Sequence, residues 1–196
     1  QCDWSSDVCS SDLSRSFWIL SDGNLKRPPV WKISLVEDNM KILFHRGKPG
    51  DDYMYDMLLH GLRNTPGVEV VDEPYIEQMY SSTFGPGKKD IRTISAKGFT
   101  VYGLLPDVEV DRDDIDSKIR NGYYDLIICD IFQGPRSQVI VENAHKNRIV
   151  FIDGNDDFYV HGPIAERFLY FKRELRAFLP NVLPVSFAVP KEKIRE

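Results

Sequence analysis

Two continuous apolar runs, Asp125 to Phe132 and Arg148 to Asp153, constrain this chain more than any other feature. They are short, rich in β-branched residues and lack polar alternation, which is how a strand covered on both faces reads. Between them Val139, Ile140 and Ala144 carry a helical period, expected to extend to about Lys146. A strand, a crossover helix and another two-face-buried strand imply parallel pairing. The expected fold is therefore α/β, a doubly wound, mostly parallel sheet with helices on both faces, of the Rossmann-like or flavodoxin-like kind.

The same alternation runs through the flanking sequence. Lys41 to His45 reads as the first strand of this domain, and Asp51 and Asp52 read as the cap and first turn of a helix. Met54, Met57, Leu58, Gly61 and Leu62 would form its apolar face, Asn64-Thr65-Pro66-Gly67 its stop, and Val68 to Val71 the next strand. The middle is less regular. Ile91 to Ser95 and Phe99 to Leu105 are expected as two strands, and Gly85-Pro86-Gly87-Lys88-Lys89 as an exposed basic turn, because it lacks the phosphate-loop spacing. Asp113 is a candidate cap before Ile115, Ile119 and Tyr123. Gly162 to Phe168 reads as a short helix, and Leu169 to Phe171 and Val185 to Val189 as late strands.

Met40 opens this pattern, and what precedes it differs. All three Trp lie before it, with Cys2 and Cys9; only Cys129 follows. Asp3 to Leu13, DWSSDVCSSDL, resembles residue for residue one reading frame of a widely used short-read sequencing adapter. Val36 to Asn39 can be back-translated into a purine-rich ribosome-binding site just ahead of the Met40 codon. Residues 1–39 are therefore expected to be a non-native, disordered leader, and 40–196 the domain. Four of the 25 basic and six of the 30 acidic residues fall in that leader, so the remainder carries net charge −3. No basic cluster is dense enough to track nucleic-acid phosphates. No apolar run approaches the roughly 20 residues of a membrane span. A single Cys in an apolar strand suggests a reducing, cytoplasmic setting.

Ligands of doubly wound sheets bind beyond the carboxyl ends of the strands. Three segments end there. His45-Arg46-Gly47 could approach an anion at the following helix N-terminus, or form a plain turn. Asp130 could be a ligand, a base or a cap. Asp153-Gly154-Asn155-Asp156-Asp157, with His161 beyond, could hold a cation through oxygen ligands, or poise one carboxyl near neutrality by mutual repulsion, or simply turn the chain. His161 is a candidate general base. Lys172 and Arg173 could bind phosphate or carboxylate, or close an internal ion pair. A receiver-like reading, from ISLVEDN at Ile33 to Asn39 and YDLIICDI at Tyr124 to Ile131, conflicts with the spacing, since Asp38 and Asp130 stand far beyond the two βα units a receiver places between them.

FIDGNDD, YFKREL and PVSFAVPKEKI, in that order, resemble bacterial family-1-like glycosyltransferases of the two-Rossmann-domain type, over roughly Met40 to Glu196. No diagnostic catalytic signature accompanies the three motifs. The resemblance implies an N-terminal, acceptor-side domain of an enzyme that moves a sugar from a nucleotide-activated donor. A C-terminal domain, expected beyond Glu196, would supply most donor contacts. It further implies a nucleotide-sugar co-substrate with no cofactor and no metal. Asp153, Asp157 and His161 would then be catalytic, with His45, Arg46, Gly47, Asp130, Lys172 and Arg173 binding substrate. Two other readings stand beside it: a non-catalytic flavodoxin-like or receiver-like module that binds a nucleotide or a partner, and a metal-dependent phosphohydrolase using the Asp153 cluster.

Overall fold

The computed structural model describes residues 19–21, 24–26, 39–47, 52–91, 101–131, 134, 136–145, 148–186 and 189. The chain divides into two units, 1–36 and 37–196. In the first, β1 (Ile19–Ser21) and β2 (Asn24–Lys26) pair as a short antiparallel ribbon. The adapter-like residues 3–13 lie outside the described residues.

The second unit is a six-stranded sheet of β3 (Met40–His45), β4 (Val68–Glu73), β5 (Leu126–Asp130), β6 (Ile149–Asp153), β7 (Leu169–Lys172) and β8 (Val182–Pro184). The order is β4-β3-β5-β6-β7-β8, and every neighbouring pair is parallel. Helix α1 (Tyr53–Arg63) packs on one face through Met54, Tyr55 and Leu59 against Ile42, Phe44, Val70, Ile128 and Ile152. Helices α2 (Ile115–Arg120), α3 (Ser137–Glu142) and α4 (Gly162–Ala165) cover the other through Ile115, Ile119, Ile140 and Ala165. The expected α/β sheet with helices on both faces is what forms. It has the flavodoxin type of order, so the chain reverses direction across the sheet between β3 and β5.

Local chemistry sets the helix ends. Asp52 is extended and its carboxylate accepts the Tyr55 N–H at 3.0 Å, the capping bond that α1 needs. Gly67, with φ +73°, makes the left-handed turn into β4 that a side chain would oppose.

Four expectations are corrected. The buried stripe of α1 runs through Met54, Tyr55, Asp56, Leu59 and His60; Gly61 is exposed, and Met57, Leu58 and Leu62 only flank the core. A polar pair inside the stripe shifts it, because Asp56 is buried against Arg46. The cap of α2 is Asp114, with φ 49°, while Asp113 gives its N–H to Asp111 in the preceding turn. Residues 101–105 form no regular strand: Val101, Tyr102 and Leu105 are all buried, Gly103 turns at φ +69°, and only Leu105 bridges, to Tyr80. Residues 92–100 of that pair of strands lie outside the described residues. The last strand among the described residues sits at Val182–Pro184; Val185, Ser186 and Val189 of the expected strand are in none, and residues 187–188 lie outside the described residues. Asn181 turns the chain at φ 60° and Val182 is the residue that enters the core.

No helix among the described residues is long and apolar enough to cross a membrane.

Candidate functional site

The reversal between β3 and β5 brings their carboxyl ends side by side. His45 ends β3 and Glu73 ends β4, directly opposite in register. The His45 Nδ1 lies 2.9 Å from Glu73 Oε2, and the imidazole is 1% exposed. Its Nε2 is buried and has no hydrogen-bond partner. Burial opposes ionisation of Glu73, but His45 and Arg136 outweigh it and hold the carboxyl below its ordinary range. Arg136, at the start of α3, lies 3.2 Å from Glu73 Oε1 and also pairs with Asp116 on α2. The Tyr55 hydroxyl is within reach of two carbonyls, His45 at 2.7 Å and Ile128 at 3.1 Å, and so staples β3 to β5 beneath the site.

Gly134 roofs the imidazole and packs on Gly47. Gly47 donates its N–H to Asp130 Oδ2 at 2.9 Å, which ties the loop after β3 to the end of β5. A Cβ on Gly134 would fall 2.7 Å from Gly47 Cα and 2.9 Å from His45 Nε2, both too close to exist without movement. Gly134→Ala is therefore expected to cost about 1–3 kcal/mol by overpacking, read as a lower urea midpoint at unchanged slope; a midpoint equal to wild type would show that the roof yields freely.

Arg46 points away from this pair. Its guanidinium bonds Asp56 Oδ1 at 2.8 Å, with both residues buried. Burial pushes the Asp56 carboxyl up to about 6 against the opposing pull of Arg46. Arg46 is thus an internal ion-pair partner, not a free phosphate contact.

The second cluster stands at the ends of β6 and β7. Asp153 is 1% exposed and both its oxygens are engaged: Oδ1 accepts the Asn155 N–H at 3.0 Å, and Oδ2 accepts the Tyr170 hydroxyl at 2.6 Å and lies 3.0 Å from Lys172 Nζ. Lys172 has no exposed surface and also reaches Asp157 Oδ1 at 3.3 Å. Asp156 is exposed and pairs with Arg173. Asp153 and Asp157 thus share Lys172, and Asp156 pairs with Arg173, so every acid in DGNDD faces a cation. Among the described residues no group of His, Cys, Asp and Glu has the geometry to hold a metal ion. His161 precedes α4, and its buried Nδ1 has no hydrogen-bond partner. The two clusters are neighbours: Gly154, after β6, approaches Met54 and Asp52 at the start of α1.

The expected residues thus sort by geometry. His45, Gly47 and Asp130 converge at the reversal, and Asp153, Asp157 and Lys172 form one interlocked turn. Glu73, Arg136, Tyr55 and Tyr170 are additional. Glu73 had a signal, an acid closing an apolar strand just before Pro74, but ending that strand at Val71 hides it.

No protein-family model, no curated protein and no solved structure matches the chain.

Proposed function

We propose that this chain is the acceptor-side Rossmann-like domain of a glycosyltransferase that uses a nucleotide-activated sugar, with His45 as its general base. One observation carries the reading: a buried imidazole at the reversal of a doubly wound sheet is held by a carboxylate on Nδ1 and leaves Nε2 without a partner. A carboxylate on one ring nitrogen fixes the proton there and orients the other as acceptor, the arrangement general bases use. The ordered motifs FIDGNDD, YFKREL and PVSFAVPKEKI support the reaction class.

In this proposal His45 Nε2 takes the proton of an acceptor hydroxyl. The hydroxyl oxygen bonds the anomeric carbon, and the bond to the nucleoside diphosphate breaks with its electron pair on the leaving diphosphate. Glu73 stabilises the imidazolium that forms. Gly134 lies against Nε2, so the hydroxyl reaches the ring once this glycine moves aside. The interlocked Asp153 turn shapes the neighbouring wall instead of moving protons, because its carboxylate is fully bonded. A second domain supplies the donor-nucleotide contacts, and the location is cytoplasmic.

The test is nucleoside-diphosphate release from a panel of uridine-, guanosine- and thymidine-diphosphate sugars by the complete protein that contains this chain. Acceptor-dependent release is expected, falling about 10²–10⁴-fold in kcat/KM in His45→Gln. A folded protein that releases none, or a His45→Gln variant with unchanged kcat/KM, overturns the reading. The flavodoxin type of strand order is equally compatible with a second reading, a nucleotide-binding module without catalysis, since fold alone does not choose between them. Nucleotide binding without turnover of any donor would select it.

A further inference from the structure

Asp116, Arg136, Glu73 and His45 form a chain of charge from surface to interior. Their exposures fall from 41% through 28% and 17% to 1%. Each link joins a different element: α2 to α3, α3 to β4, β4 to β3.

Glu73 is the pivot. Its two oxygens are split between two partners, Oε2 hydrogen-bonded with His45 Nδ1 at 2.9 Å and Oε1 in an ion pair with Arg136 Nε at 3.2 Å that lacks hydrogen-bond geometry. A carboxylate gripped at one oxygen can swing about its terminal torsion, which is broad. Gripped at both, it cannot. The other charged neighbours are committed elsewhere: Asp130 bonds the Gly47 N–H, and Arg46 bonds Asp56. We infer that Arg136 is a positioning residue, which locks the Glu73 carboxylate so that the neutral His45 ring carries its proton on Nδ1 and leaves Nε2 bare. This rests on the transferase reading only for its consequence, because the geometry concerns the ring itself. It makes the free nitrogen of His45 depend on a guanidinium that never touches it.

The nitrogen chemical shifts of the His45 ring, recorded near pH 9 on the chain labelled with nitrogen-15, read the tautomer directly. At that pH imidazoles are neutral, and His45→Gln identifies the signals. Wild type is expected to show an acceptor-type Nε2 and a protonated Nδ1. Arg136→Gln is expected to raise the ratio of Nε2–H to Nδ1–H forms by up to about fivefold, the scale of one part-exposed ion pair, and Arg136→Lys to restore most of the wild-type ratio. If Arg136→Gln does not fold, Asp116→Asn, which frees the far end of Arg136, must move the ratio in the same direction. A ring that stays in its Nδ1–H form in the folded variants overturns the inference. Sugar transfer enters none of these readouts, so a failed transfer assay beside a shifted tautomer would remove the reaction and leave the lock.

Discussion

Lys172→Met is expected to destabilise the parallel-sheet unit by about 3–5 kcal/mol, the cost of leaving a buried charge without its partner. Lys172 has no exposed surface and stands between Asp153, itself 1% exposed, and Asp157. Methionine matches the length and apolar character of the lysine stem, so packing is largely kept and the loss is electrostatic. Asp153 would retain the Tyr170 hydroxyl and the Asn155 N–H but no cation. Its neighbours add to the effect, because this carboxylate organises the turn from β6 towards α4. Urea denaturation provides the measurement. The double variant Lys172→Met with Asp153→Asn should recover part of the loss, since it removes the stranded charge as well as the lysine. A single variant within about 1 kcal/mol of wild type would show that solvent, not lysine, neutralises Asp153.

The second large effect is a pH dependence centred on Asp56. Its carboxyl is pushed up to about 6 from the ordinary 3.8, chiefly by burial, with Arg46 pulling the other way. The sign follows from proton binding. Between those two values the folded state holds a proton on Asp56 that the unfolded state has released, so stability from this group rises as pH falls through 6. It is complete below the unfolded value and lost as pH rises through the folded one. A rise of this size corresponds to about 3 kcal/mol, of which roughly 1–1.5 kcal/mol is gained between pH 7 and pH 5. Wild type should therefore gain stability over Asp56→Asn by that amount across the interval, read from urea midpoints at both values. Equal slopes in the two proteins, or a wild type that weakens relative to the variant, would mean that Arg46 outweighs burial.

Much of the architecture was legible before any coordinates. The buried runs Leu126–Asp130 and Ile149–Asp153 read as central strands, and the Asp52 cap and the stop opening at Asn64 bracket α1. These are local rules, acting over a few residues. The departures came where distant partners decide. The stripe on α1 moved because Asp56 meets Arg46, and the end of β4 extended to Glu73 because His45 lies opposite. The last strand moved because Val182 enters the core opposite Tyr170.

The candidate site divides in the same way. The carboxyl edge was named from its residues alone: His45, Gly47, Asp130, Asp153, Asp157 and Lys172 all stand there, since every strand of a parallel sheet ends on one side. Which of them are structural and which are left with a free nitrogen was not in the sequence. Asp153 is bonded by Tyr170 and Lys172, seventeen and nineteen positions on. His45 meets Glu73 at Nδ1 and is roofed by Gly134, twenty-eight and eighty-nine positions away. Apolar periodicity determined the sheet, because burial is read residue by residue along the chain. Only the tertiary structure decided the chemistry, because the state of an ionisable group depends on what the fold brings within about 3 Å of it.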